Sequence, residues 1–289
     1  MTKKHQLLAL IVTIIWGTNF VFIKYGLNEL PPFLFAAIRF FLVAFPLIFF
    51  FPKPKASWWL IAAYGFFIGF GQFGILFYAL QNDIQPGLAS LVLQTQVFFS
   101  VIFAIFFFKE FITPIQWLAL IISFSGIALI ASKTGGQTTL LGLALALIAA
   151  MSWAMGNMVV KKAGKVDIIA FLAYSSLFVV PILAAMSLYF EGWDLIKTSI
   201  QSASMTSVYV VLWQTIGNTL IGYGLWNFLL SRYNAATVTP WALLIPISGM
   251  TAASFMLDEP MPLWKLIAAM LVLSGLIINI VTIKKRINK

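Results

Sequence analysis

The feature that most constrains this chain is a succession of apolar runs, each about as long as a membrane is thick. A helix crosses the hydrocarbon core of a bilayer with about 20 predominantly apolar residues. Ten such runs can be read, at 6–27, 33–51, 58–80, 86–108, 114–131, 140–160, 168–190, 206–230, 235–257 and 263–283. Turn signals separate them: Pro31 and Pro32, Pro52 and Pro54, Asp83 to Pro86, Lys109 to Pro114, Gly135 and Gly136, Lys161 to Asp167. Pro86 and Pro114 stand where the first turn of a helix accepts proline. The runs are apolar on all sides, whereas the strands of a membrane barrel alternate. The first run follows Lys3 and Lys4 as a leader would, but it is too long for a cleavable apolar core and no small-residue cleavage site follows. It is therefore read as the first span. Charged residues make up 9% and hydrophobic ones 62% of the chain, against roughly a quarter charged in a soluble domain. A water-soluble fold and a disordered chain are both excluded.

The charges orient the spans. With the N-terminus in the cytoplasm, only Lys24, Lys133, Lys197 and Lys265 fall outside and Arg39 falls within a span. All the rest of the 18 basic residues lie inside. This is the positive-inside bias, with both termini cytoplasmic, and it accounts for the net charge of +10. Nucleic-acid binding would need the charges gathered on one surface beside a binding module, and the sequence has neither. The tail Lys284, Lys285 and Arg286 reads as a topology anchor, with anionic lipid contact as a secondary use.

The chain has no cysteine and one histidine, His5. Disulfides, thiolate metal sites and cysteine catalysis are excluded, and a zinc site has almost nothing to be built from. No metal or other cofactor is expected. No Asp or Glu falls deep in a span, so an intramembrane enzyme lacks a nucleophile with a base, a metal or a carboxylate pair. The usual buried proton relay is missing for the same reason. Facilitated diffusion, or coupling through groups at helix ends or through the substrate's own charge, is left.

The two halves repeat one another. Asn19, Lys24 and Gly26 recur with the same spacing as Asn157, Lys162 and Gly164, each set preceded by a tryptophan, Trp16 or Trp153. Glu110 and Glu259 each follow a long apolar run and precede a proline turn and a Ser-Gly pair, at 125–126 and 274–275. The interval is 138 residues for the first set and 149 for the second. The difference fits the longer connection between Glu191 and Met205. Several coincidences in one order indicate duplication. The expected fold is all-α: ten transmembrane helices in two five-helix repeats, residues 1–135 and 136–289. Five is odd, so the second repeat is inverted. Inverted repeats are the architecture of alternating-access carriers, with substrate near the midplane between the halves. A channel, or a non-transporting scaffold, is the rival class. A carrier saturates and shows counterflow, and polar residues scattered through several spans argue against a scaffold.

Five features together resemble the drug/metabolite transporter superfamily, and within it the EamA family. They are the opening Trp16 to Phe20, Arg39, the start of the fourth span at Pro86 to Ala89, Asp258 with Glu259, and the ten-span plan. The likeness extends through Pro31 to Lys55, Gly87 to Gln96 and Gly222 to Trp226, and covers essentially the whole chain. It implies export of small amino-acid-like metabolites, such as O-acetylserine, cysteine or related amino acids, across the bacterial cytoplasmic membrane. A carrier of another small metabolite or drug is the alternative within the same fold.

Polar groups inside a bilayer cost free energy, so each invites a functional reading, although Ser, Thr, Asn and Gln also bond between helices. Trp16 and Asn19 share a helical face, as do Trp153 and Asn157, and symmetry-related positions at a repeat interface point to a central cavity. Gln94 and Gln96, two apart, are expected to divide between cavity and helix bridging, in an order the sequence leaves open. Tyr78, on a stripe with Tyr64 and Gly71, is a further substrate-binding candidate. In the eighth span, Tyr223 and Trp226 are cavity candidates, Asn227 adds to its polarity and Trp213 reads as interfacial. Arg39 either anchors a substrate carboxylate, bonds to helix ends near the outer face, for example to Glu29, or snorkels. Lys24 and Lys162 read as snorkelling or capping groups. Spans one, three, four, six, eight and nine should line the cavity, with five and ten at the periphery or on a surface where two copies pair.

Overall fold

A computed structural model describes residues 1–289 except 110–112, 136, 234 and 288–289, and no side chain at 108, 227, 231, 235, 236, 239 and 283–287. Glu110 and the side chains of the basic tail and of Asn227 therefore lie outside the described residues. Every regular element among the described residues is a helix, and none is a strand. In chain order the helices are α1 (Lys3–Leu27), α2 (Pro32–Leu47), α3 (Trp58–Asn82), α4 (Pro86–Phe107), α5 (Pro114–Ser132), α6 (Leu140–Ala163), α7 (Ile168–Glu191) and α8 (Trp193–Ser202). There follow α9 (205–232), α10 (Pro240–Met256) and α11 (Leu263–Ile287). Seven of them, α1, α3 to α7 and α11, are long and apolar enough to cross a membrane, while α2 and α10 are shorter apolar helices.

Three elements differ from the sequence reading. The second helix stops at Leu47, with Pro46 in its last turn and Pro52 beyond, so the expected run to residue 51 is curtailed. The ninth run starts as a short turn, Ala235–Val238, and tightens to a 3-10 turn at Thr239–Leu243, where Pro240 removes a donor. The long connection near Glu191 holds a helix of its own, α8, with Ile196 and Ser199 buried and Trp193 exposed.

The irregularities pair up along the chain. α3 winds as a π-helix over Gly65–Gly74 and α9 over Trp213–Tyr223, stretches that begin 148 and end 149 residues apart. Lys109 and Asp258 are the described non-glycine residues with left-handed backbone, and they too are 149 apart. α4 carries a 3-10 turn at Leu93–Thr95, matching the one in α10.

The helices pack through small residues, as helices in lipid do. Gly17 of α1 and Gly249 of α10 let those helices meet, and Ser248 bonds back to the Thr13 carbonyl at 3.0 Å. Gly126 of α5 faces the Ala268 carbonyl of α11, and Gly275 of α11 the Ala119 carbonyl of α5. The Ser-Gly pairs of the sequence therefore sit on one shared helix contact. The start of α1 meets the end of α9 on one side, which we call the terminal face, where His5 Nδ1 and the Tyr233 hydroxyl are 2.6 Å apart. The opposite side is the far face.

Candidate functional site

A cavity of ≈ 570 Å³ opens between the helices towards the terminal face. Its wall includes Trp16 of α1, Tyr64 of α3, Gln94 and Gln96 of α4, Trp153 and Asn157 of α6 and Tyr223 and Trp226 of α9. Beyond it, towards the far face, lies a smaller chamber of ≈ 50 Å³ bounded by Asn19, Gln72, Phe73 and Asn218. Trp16, Gln94, Trp153, Tyr223 and Ile245 belong to both walls, so the two spaces adjoin.

The π-helical stretch of α9 shapes the aromatic part. An i→i+5 turn is wider than an α-turn and marks functional sites in many helices. Here it carries Tyr223 to 5.2 Å from the Trp16 ring, and Trp226, just beyond, to 5.3 Å. The Trp16 indole donates to the Asn218 carbonyl at 3.3 Å. It lies against the backbone of Gly222, where a Cβ would collide with its ring nitrogen. The two repeated asparagines are each tied across the molecule. Gln214 donates to Asn19 Oδ1 at 2.7 Å, and Asn157 donates to Gln96 Oε1 at 3.0 Å.

Of the residues singled out from sequence, Trp16, Asn19, Gln94, Gln96, Trp153, Asn157, Tyr223 and Trp226 come together on these walls. Gln94 and Gln96 do not divide as expected: both line the cavity, and Gln96 also bridges to α6. The 3-10 turn at Leu93–Thr95 is the reason. Its tighter winding turns two residues through about 240° instead of about 200°, which narrows the angle between them. Tyr78 is 41% exposed, stacked on Phe33 at 5.8 Å, and lies apart from the cavity. Trp213 packs on Phe22, ring centroids 4.6 Å apart.

Arg39 is 1% exposed. Its guanidinium stacks on Phe73, 3.8 Å from the ring centroid, and donates one bond of 3.4 Å to Thr219. Nε and the second amino nitrogen have no partner. Glu29 bonds to Ser204 and Ser207, so the Arg39–Glu29 contact, one of the alternatives for Arg39, is not made. Lys24 caps α3, donating to the carbonyls of Leu80 at 3.0 Å and Gln81 at 2.6 Å.

Further wall residues were not expected from the sequence. α11 was expected at the periphery, yet Leu276, Asn279 and Ile280 reach the cavity. Asn279 accepts from Gln116 at 3.2 Å, and its amide nitrogen is unpartnered. A lone asparagine in an apolar run was the available signal. Gln72, set among packing glycines, lines the deep chamber.

The far face is closed by carboxylates. Glu191 accepts from the N–H groups of Phe33 and Leu34 at 2.6 and 3.1 Å, in the first turn of α2. Glu259 accepts from the N–H of Gly87 at 2.9 Å, in the first turn of α4, and from Lys265 at 2.8 Å. Lys265, itself 1% exposed, also donates to Gln85 and to the Pro260 carbonyl. Asp83 accepts from the hydroxyl of Thr139, which precedes α6, at 2.9 Å. Glu29 accepts from the backbone of Ser204, which precedes α9, at 3.0 Å, and from the Ser204 and Ser207 hydroxyls. The Ser207 and Ser204 hydroxyls and the Ser204 N–H hold the Glu29 carboxyl below the usual carboxylate range.

The model of the EamA-like transporter family matches this chain over residues 3–132 and again over 140–281. The chain belongs to that family. The double match leaves out the connection at 133–139, where the two expected repeats meet. A protein of Salmonella typhimurium named a probable amino-acid metabolite efflux pump is 39% identical over 97% of this chain and 96% of its own length. A protein of Escherichia coli (strain K12) with the same name is 36% identical over 99% and 98%. A solved crystal structure 17% identical covers 100% of both chains with a TM-score of 0.64, a likeness of fold. The family and these relatives are transporters, and this member is a multi-pass membrane protein.

Proposed function

We propose that this chain is a secondary transporter that exports small amino-acid-like metabolites, O-acetylserine, cysteine or related amino acids, across the bacterial cytoplasmic membrane by alternating access. The observation that carries the reading is the cavity of ≈ 570 Å³, walled by residues from both 1–135 and 136–289 and open towards the terminal face. Each of the four carboxylate contacts at the far face joins one of those segments to the other. The π-stretches and left-handed residues 148–149 apart support two inverted five-helix repeats and ten spans. The lysine and arginine bias supports a cytoplasmic terminal face, so the conformation described is inward-open. Trp16, Trp153, Tyr223 and Trp226 give the cavity an aromatic wall, and Asn19, Gln94, Gln96 and Asn157 give it polar groups. Arg39 is the candidate anchor for a substrate carboxylate, because a guanidinium binds a carboxylate through two parallel bonds.

Counterflow in proteoliposomes tests this. Vesicles loaded with an unlabelled amino acid should accumulate the labelled one transiently, and the flux should saturate. Flux that rises linearly with concentration and shows no counterflow would mean a channel-like facilitator.

A further inference from the structure

On the wall of the deep chamber and just behind it, several buried polar groups lack partners. Buried polar atoms are almost always paired, and an unpaired one costs most in a low-dielectric interior. Arg39 leaves Nε and one amino nitrogen without an acceptor. Gln72 Oε1 and Gln214 Oε1 are without a donor. These residues are 1%, 2% and 0% exposed. Shared neighbours connect them around the chamber. Gln72 is on the chamber wall, next in sequence to Phe73, whose ring packs on the guanidinium and lines the same chamber. Gln214 holds Asn19, another wall residue, and its backbone carbonyl accepts from the Thr219 hydroxyl that receives the Arg39 bond. Charged donors without acceptors thus lie behind Phe73, and neutral acceptors without donors lie on the wall at Gln72 and behind Asn19 at Gln214. A ligand that completes both sets carries an anionic acceptor and a cationic donor a bond or two apart.

We propose that the deep chamber is the recognition site for an α-amino-acid headgroup, with Arg39 taking the carboxylate and the side-chain carbonyls of Gln72 and Gln214 taking the ammonium. This rests on the export reading and deepens it. The chamber volume of ≈ 50 Å³ admits a few water-sized groups, at 10–15 Å³ for about one water, and no long side chain. The side chain extends into the ≈ 570 Å³ cavity, between Trp16, Trp153 and Tyr223. Phe73 turns off the guanidinium as the carboxylate arrives. Recognition is therefore strict at the α-carbon and permissive beyond it.

The test is competition against counterflow by the full chain in proteoliposomes, with labelled cysteine, O-acetylserine, leucine and phenylalanine as probes. For whichever probe is exchanged, its α-amide and its N-acetyl derivative should compete about tenfold or more weakly than the parent, as expected for a lost bond to a charged group. Exchanging one side chain for another should change competition less. Arg39→Met should remove the preference for acid over amide, and Gln72→Leu the preference for free amine over N-acetyl. Should either variant fail to give monodisperse protein, the panel on the unaltered chain decides alone. Exchange of an amino acid with amide and N-acetyl forms competing as well as the parent overturns the headgroup site and leaves the export reading standing. Exchange of none of the probes overturns both.

Discussion

The two faces of the molecule cap their helices in opposite ways. At the terminal face, α1, α3, α5 and α7 are capped by the residue just before each: Thr2, Ser57, Thr113 and Asp167. At the far face, α2 and α4 follow Pro31 and Gln85, which supply no side-chain cap. Their first-turn N–H groups go to Glu191 and Glu259, from the other half of the chain. α6 and α9 have local caps in Thr139 and Ser204, but those caps are themselves bonded by Asp83 and Glu29, again from the other half. A helix N-terminus presents unpaired N–H groups and partial positive charge, so it must be capped by something. Self-capped helices can move apart without leaving those groups bare. Helices capped by a distant carboxylate cannot, and closure of the far face is built from that dependence.

Removing the carboxylates one at a time should break this contrast. The largest effect is expected from Glu259→Gln, which leaves Lys265 buried without its counter-charge, at a cost of about 3–5 kcal/mol. The thermal midpoint should fall. A cysteine placed at Leu76, on the deep chamber, should become reactive from the far face, in a chain with no cysteine of its own. Adding Lys265→Met should recover part of the loss, and strict additivity of the two changes would refute the pairing.

Glu191→Gln removes the charge from two bonds to α2 and should weaken far-face closure by about 1.5–3 kcal/mol, read by the same labelling. Glu29 sharpens the comparison through pH. Its pKa is lowered in the folded chain, so its contribution is complete above the ordinary carboxylate value of about 4.3 and is lost as pH falls through the lowered value. Labelling from the far face should therefore be flat in Glu29 between neutral pH and about pH 4.3, rising only below. A Glu29→Gln chain should lack that acid step. The smallest effect belongs to the terminal face. Asp167→Ala should cost about 1 kcal/mol of stability as a lost local cap and leave far-face labelling unchanged.

Much of the helical plan was legible because a bilayer fixes the length of an apolar run and a proline or charge must end it. The asparagines and tryptophans at 16, 19, 153 and 157 were legible as repeats. The far-face carboxylates were not. Glu191 and Phe33 are 158 residues apart, and nothing local marks an N-terminus that borrows its cap. The placement of both glutamines on the cavity wall depended on a 3-10 turn that hydrophobic periodicity does not register. α8 was hidden because its pattern is shorter than a span. Gln72 stands among glycines in the sequence, and its unpaired carbonyl is visible only in the packed fold.

Gly222 has a consequence for reading other members of the family. The Trp16 indole occupies the space where any other residue at 222 would put its first carbon. The two positions are therefore one character, not two. In a comparison of related sequences, a side chain at the position of Gly222 should coincide with loss or displacement of the tryptophan at that of Trp16. Members that keep the pair share this aromatic wall, and members that break it have rebuilt the room their cargo passes through. A single column of an alignment would thus sort carriers by the shape of their cavity before any of them is assayed.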